Sequence, residues 1–215
     1  MCSCPSSSSA KDDTSLSDIP WVAGPPGGLC RGAYEWAQDY KESSTESEYA
    51  PFVPTNFKQT LRLIEMASIS KEDVVCDLGC GDGSFLSNVV EYTGCTGIGV
   101  DVRGDLVLRG RATLSSKPNI ALRLELHENL IQNFVELPTF SSASVLFVFL
   151  IPAQLNNMLP VFLGAISRGM RVVTHRYEVS GLEKYQLASL EDEPNPDDTY
   201  FQSLGKAFLY GCPAA

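Results

Sequence analysis

Basic clusters are missing from this sequence. Its 215 residues hold 16 Lys and Arg against 26 Asp and Glu, a formal net charge of −10, and no run of Lys or Arg gathers anywhere along the chain. A protein that grips nucleic acid replaces phosphate counterions with basic side chains, so nucleic acid is disfavoured as a partner. Histidine is scarce too, and neither His127 nor His175 lies within a few residues of a cysteine. The cysteines, at positions 2, 4, 30, 76, 80, 95 and 212, are odd in number and form no Cys-x-x-Cys pair. That excludes the ordinary zinc spacings and a disulfide framework, and no metal is expected. Scattered free cysteines without a secretory leader fit a reducing compartment, so the expected location is cytoplasmic. Long apolar runs are also absent. The longest, Val145 to Ile151, falls far short of the roughly 20 residues of a transmembrane helix, and no transmembrane segment is expected. The opening MCSCPSSSSAKDD has neither the apolar stretch of a signal peptide nor the arginines of a transit peptide. Its bare Met-Cys start is weak evidence for acylation of Cys2 or Cys4.

What is present is the composition of a globular protein, 44% hydrophobic and 20% charged. The length suits one domain, and a monomer is expected. Charge is uneven: basic against acidic residues number 3 to 8 over positions 1 to 50, 11 to 12 over 51 to 180, and 2 to 6 over 181 to 215. The acidic ends read as solvated surface, or as an attraction for a basic protein substrate. Residues 1–48, rich in Ser, Asp, Pro and Gly at first, cannot bury enough apolar surface to offset their ordering entropy. They are expected to form a largely flexible acidic tail with a short helix over 33–40, ahead of a domain at 49–215.

Within that domain, apolar and helical runs alternate. Thr55 or Asn56 caps a helix that places Phe57, Leu61 and Ile64 on one face. DVVCDL, TGIGVD, IALRLEL, SVLFVFLI and MRVVTHRYEV are expected strands. Helices are expected over 84–92, 105–114 and 154–166, the last bent near Pro160, with a loop over 127–137. This alternation predicts an α/β doubly wound, Rossmann-like sheet of about seven strands, mostly parallel. KYQLASLE and KAFLYGC close it as an antiparallel hairpin on its edge.

The stretch VVCDLGCGDGSF, residues 74–85, joins a strand to a helix through a glycine-rich turn, which is a ligand-binding arrangement whatever the ligand. It lacks the lysine of a phosphate loop. A dinucleotide turn wants Gly or Ala at position 84, where this chain has Ser. Asp77 and Asp82 flank the turn and would repel a pyrophosphate at short range, whereas a ligand with an ammonium group and no phosphate suits them. S-adenosylmethionine is such a ligand. Asp101, 22 positions after Gly79 at the end of TGIGVD, is placed to accept from both ribose hydroxyls of an adenosine cofactor.

The motif Asp-x-Gly-x-Gly-x-Gly over 77–83, followed by GIGVD, resembles class I (seven-strand) S-adenosylmethionine-dependent methyltransferases, over about residues 50 to 212. PFVPT, FLIPAQL and MRVVTHRYEV resemble a narrower group of small lysine methyltransferases. That group includes the enzymes acting on the ATP synthase c subunit and the adenine nucleotide translocase. The resemblance implies S-adenosyl-L-methionine as cofactor, with Asp77, Gly79 and Gly81 at its methionyl end, Asp101 on the ribose and Val102 beside the adenine. It also implies Asn129 accepting from the adenine amine, and Pro54 and Thr55 covering the cofactor, although Thr55 reads equally as a helix cap. The narrower group's eukaryotic members carry an apolar N-terminal segment that targets them to mitochondrial membranes, where this chain has a polar one; the resemblance thus implies a mitochondrial location as the alternative to the cytoplasm. The strand-four end FLIP departs from Asn-Pro-Pro-Tyr, which argues against glutamine or nucleobase targets.

The expected activity is direct in-line methyl transfer to a lysine side chain of a protein substrate. The alternatives are a non-catalytic methyltransferase-fold binding protein and a methyltransferase of a small molecule, with a nicotinamide enzyme, to be tested by calorimetry with NAD, as a third. No catalytic base stands out. His175 reads as a structural histidine ahead of a base, Gln154 as a helix cap ahead of a ligand for a substrate amine, and Tyr49 and Phe52 as packing ahead of an entry lining.

Overall fold

The computed structural model describes residues 52–194 and 204–213. The expected tail 1–48, Tyr49, Cys2, Cys4 and Cys30 lie outside the described residues.

A helix, α1 (Phe57–Met66), opens the described chain. Its cap is Asn56, whose side chain accepts the Lys58 N–H at 2.8 Å and so satisfies one of the orphan donors of the first turn. Thr55 is therefore not the cap. The buried face of α1 is also not the expected one: Gln59, Thr60, Leu63 and Ile64 are buried, Phe57 is exposed and Leu61 half-buried. Two polar residues can turn inward because each has a partner. Gln59 Nε2 donates to Gly205 O at 3.3 Å and Thr60 Oγ1 to Asn56 O at 3.1 Å, which removes the penalty that normally keeps such groups out.

Seven strands follow: β1 (Val74–Leu78), β2 (Thr96–Asp101), β3 (Leu124–Glu128), β4 (Val145–Val148), β5 (Arg171–His175), β6 (Gln186–Leu190) and β7 (Ala207–Tyr210). They form one sheet in the order β3-β2-β1-β4-β5-β7-β6. The first five are parallel, whereas β7 runs antiparallel to β5 and β6 antiparallel to β7. The expected closing pair is thus at the edge, with β7 inside it and β6 outermost. β1 and β4 are almost wholly buried, as a sheet covered on both faces requires.

The helices α2 (Ser84–Thr93), α3 (Gly104–Ser115), α4 (Pro118–Ala121), α5 (Ile131–Phe134), α6 (Pro138–Ser141), α7 (Pro152–Asn157) and α8 (Leu159–Ser167) fill the connections. Three expectations change. IALRLEL is not one strand: Pro118 opens the single turn of α4, which buries Ile120, and β3 begins only at Leu124. The loop expected over 127–137 is partly regular, with His127 and Glu128 ending β3 and α5 seating the fully buried Phe134. The single helix expected over 154–166 is two. Pro160 has no N–H to give and its ring would collide with the preceding turn, so the chain breaks at Met158 and Pro160 sits in the first turn of α8.

The amino-terminal edge of the sheet is stapled by one carboxylate. Asp73 Oδ2 accepts from the Ser70 N–H at 2.8 Å, Oδ1 accepts from the Ser144 hydroxyl at 2.7 Å, and Arg171 pairs with the same oxygen while also donating to Ala67 O and Ser68 O. The staple ties the end of α1 to β1, β4 and β5. Burial alone would raise the Asp73 pKa, but the bonds from Ser70, Ser144 and Arg171 hold it below the ordinary carboxylate value. A depressed pKa means that its contribution is present above the unfolded-state value of about 3.9 and is lost as pH falls through the lower folded value. Asp73→Ala should cost roughly 2 to 4 kcal/mol in denaturant unfolding at neutral pH, because it strands a partly buried guanidinium. The variant should converge on the parent protein in acid.

Candidate cofactor site

The order reverses between β1 and β4, and in open parallel sheets ligands bind beyond the carboxyl ends of the strands at such a switch point. The turn Leu78 to Gly83 lies there. Gly79, Gly81 and Gly83 take φ of +91°, +56° and +71°, a region that other residues enter at a cost. Space demands glycine as well: a Cβ on Gly81 would fall 2.2 Å from the Phe52 ring, and one on Gly79 3.0 Å from Leu150. Phe52 therefore lies directly over the turn, a placement that its hydrophobicity alone did not indicate.

The turn is moored to β2. Val100 O accepts from both the Gly79 and Cys80 N–H groups, at 2.9 and 3.0 Å, and Asp101 Oδ2 accepts from the Gly81 N–H at 2.8 Å. The other Asp101 oxygen accepts from the Arg103 N–H at 2.8 Å. Two backbone donors thus fix the carboxylate while each oxygen keeps a lone pair for a further donor. Asp101 O also accepts from the Asn129 N–H at 3.0 Å, which brings the end of β3 beside it. Asp101, Val102 and Asn129, all half-buried, meet at one edge of the sheet. Thr55 is half-buried just ahead of α1.

Asp77 is different in kind. It is 3% exposed, and its Oδ1 has no hydrogen-bond partner among the described residues. Burial in the first place, and the charge of Asp101 in the second, push its pKa well above the ordinary carboxylate value. An unpaired buried carboxylate oxygen is costly, and a cationic donor arriving from the ligand side removes the cost. Asp82 has another role. Its Oδ1 accepts from the N–H of Ser84, the first residue of α2, at 3.1 Å, and Asp101 is the carboxylate whose charge Asp77 feels.

The cysteines are packing. Cys76 and Cys80 are buried, free thiols; a Cβ on Gly99 would lie 2.8 Å from Cys80 Sγ, so this thiol fills the space that β2 leaves open. Burial pushes both thiols away from ionisation, Cys80 well above the usual value. One shaping residue went unnoticed in the sequence. Gly110, inside α3, allows the helix to touch the turn, since a Cβ there would sit 2.2 Å from Asp82 O; its signal is a glycine in a helix interior, where it otherwise destabilises.

At the neighbouring strand ends, His175 is 3% exposed and its Nε2 donates to Leu204 O at 3.3 Å. Its Nδ1 and the Oε1 of Gln154 are buried and lack partners among the described residues.

The chain is 29% identical over 160 residues to a protein-lysine N-methyltransferase of Saccharolobus islandicus, covering 74% of this chain and 96% of that protein. Among solved structures, an RNA methyltransferase from Salinibacter ruber in complex with S-adenosyl-L-homocysteine superposes with a TM-score of 0.57 at 22% identity, over 76% of this chain and 95% of its own. The fold is that of the class I S-adenosylmethionine-dependent methyltransferases. A SAM-dependent O-methyltransferase from Thermotoga maritima shares the methyltransferase fold with a TM-score of 0.55 at 14% identity, over 82% of this chain and 72% of its own. No family model matches the chain. One of these similar proteins is named for RNA and another for protein lysine, so this fold does not name an acceptor. Among the described residues, no helix is long and apolar enough to cross a membrane.

Proposed function

We propose that this protein is an S-adenosylmethionine-dependent methyltransferase acting on a lysine side chain of a protein. The observation that carries the cofactor half is Asp77: a buried carboxylate oxygen without a partner, at the base of a glycine turn whose backbone leaves no room for side chains. The support for lysine is the similarity to the Saccharolobus islandicus enzyme over nearly its whole length.

In this reading Asp77 accepts from the cofactor's amine and Asp101 from its two ribose hydroxyls, while the Asn129 carbonyl accepts from the adenine amine. Val102 lies against the base, Gly79 and Gly81 let the methionyl end approach the backbone, and Thr55 covers it. The bound cofactor supplies a methyl group already activated by sulfonium charge. What remains for the chain is to hold the amine in line, exclude water and favour the neutral nucleophile. A lysine with a reference pKa of about 10.4 loses its proton more readily where burial penalises the charged form.

The test is incubation of the purified protein with tritiated S-adenosylmethionine and a cell lysate, followed by fractionation and acid hydrolysis of the protein fraction. Label should enter protein and elute as methylated lysine. Label confined to small molecules would replace the lysine reading, and label in RNA would overturn both that reading and the expectation that nucleic acid is no partner. If calorimetry detects no cofactor binding below millimolar, the enzyme reading fails in favour of a binding protein.

A further inference from the structure

Beyond the cofactor turn, the ligand edge of the sheet carries two buried acceptors that meet no donor among the described residues. β4 and β5 are parallel neighbours with Val148 opposite Thr174, so Phe149 and His175 emerge side by side, their rings 4.4 Å apart. Gln154 follows on α7, the first helix after β4. Leu204 O can only accept, so the proton of His175 sits on Nε2 and Nδ1 presents a lone pair. Gln154 Oε1 is likewise an acceptor, and both atoms are shielded from water without a donor among the described residues. The chain just beyond is strained: Arg176 holds φ +71°, its amide bound to Lys206 O at 2.7 Å. Backbone strain in a non-glycine residue persists only where its surroundings impose it, and such positions cluster at working sites.

A ligand that meets both lone pairs is selected by them. A carboxylate or an unprotonated carbonyl would meet only repulsion, and a hydroxyl could satisfy one of them. An unmethylated primary amine brings two N–H donors and keeps its own lone pair free for attack. We infer that Gln154 and His175 form the acceptor-amine subsite, with Gln154 Oε1 and His175 Nδ1 taking the two N–H groups of the incoming lysine. This rests on the lysine reading above and adds to it the residues that hold the nucleophile and a preference among methylation states. During transfer the amine lone pair forms the N–C bond as the S–C bond breaks. The sulfur leaves as a neutral thioether and the positive charge passes to the product nitrogen. A monomethylated amine keeps one N–H before a second attack and a dimethylated one none, so each round leaves another acceptor unmet. His175 is a positioning residue and not the base: burial first, with Arg176 and Arg62 contributing, brings its pKa down to about 4 even though its bond to Leu204 O favours the charged form. It stays neutral beside a far more basic amine.

The chain has only two histidines, so the ring nitrogens of His175 can be followed directly by 15N NMR, with His127→Asn giving the assignment. The probe is n-butylamine, a mimic of the lysine side chain, added to full-length protein saturated with S-adenosyl-L-homocysteine. The His175 Nδ1 resonance should move on titration while both His127 nitrogens stay, N,N-dimethylbutylamine should bind at least tenfold more weakly, and Gln154→Ala should weaken butylamine at least tenfold. Calorimetry with S-adenosyl-L-homocysteine on the same sample separates the two ideas. If the cofactor product binds but the amine leaves Nδ1 unmoved, or moves it equally as the dimethyl form, the subsite is wrong and the methyltransferase reading stands. If the cofactor product does not bind, both fall. The wild-type titration needs no core variant to fold.

Discussion

Replacing Asp101 with alanine should weaken S-adenosylmethionine binding about a hundredfold or more while leaving the sheet folded. The carboxylate is held by the Gly81 and Arg103 amides at 2.8 Å each, so its oxygens are oriented before any ligand arrives. A ribose diol then gains two charge-assisted bonds without further ordering. Each such bond contributes roughly 1.5 to 3 kcal/mol, and about 1.4 kcal/mol is tenfold in affinity, which places the loss at two decades or beyond. Part of the effect is indirect, since alanine also releases the Gly81 amide and slackens the turn. Asp101→Asn separates the contributions: it keeps one oxygen acceptor, swaps the other for a donor, and should fall between the parent protein and alanine. Calorimetry reads the affinity and denaturant unfolding reads the fold. Affinity unchanged in the alanine variant would place the ribose elsewhere.

How far the sequence revealed this site depends on the length scale of each signal. The turn was legible because its chemistry is local. Three glycines at alternate positions between a buried strand and a helix cap leave few conformations, and all three took positive φ. Asp101 was legible because the strand alternation fixed which residue ends β2. The face of α1 was not, since Gln59 and Thr60 are buried through partners at Gly205, far along the chain, and at the helix start. Periodicity alone places polar residues outside. IALRLEL misled in the same way: Pro118 and the burial of Ile120 override a run that reads as strand. The mooring of Asp101 by Gly81 and the covering of the turn by Phe52 are long-range contacts, and no spacing encodes them. His175 sits on the boundary. Its position at the end of a strand was readable, but its unmet Nδ1 depends on what packs around it.

Asp77 should make cofactor binding depend on pH and release a proton. In the ligand-free protein, burial and the nearby Asp101 charge raise its pKa well above 3.8, so between the unfolded value and the raised folded value the folded state holds a proton that the unfolded chain has lost. Unfolding then releases that proton, and stability falls as pH rises from the unfolded value of about 3.9 to the raised folded value. A cationic amine beside Asp77 has the opposite preference: it favours the ionised form and expels the proton. Affinity for S-adenosylmethionine should therefore rise with pH across this window, by up to about tenfold per unit, and flatten once Asp77 is ionised without help. The measurement belongs below about pH 7, because an α-amino group itself titrates near about 7.7 to 8.0. Calorimetry in two buffers of different ionisation enthalpy counts the proton. Asp77→Asn should abolish both the slope and the release and weaken binding by roughly tenfold or more, the loss of one bond to a charge. The same variant should stabilise the ligand-free fold at neutral pH by on the order of 1 kcal/mol, since the amide has no ionised form to bury. Greater stability with poorer binding is the signature of a residue kept for its ligand rather than for the fold. A variant that loses stability, or that binds with the parent's pH slope, would show that Asp77 serves the sheet and not the cofactor.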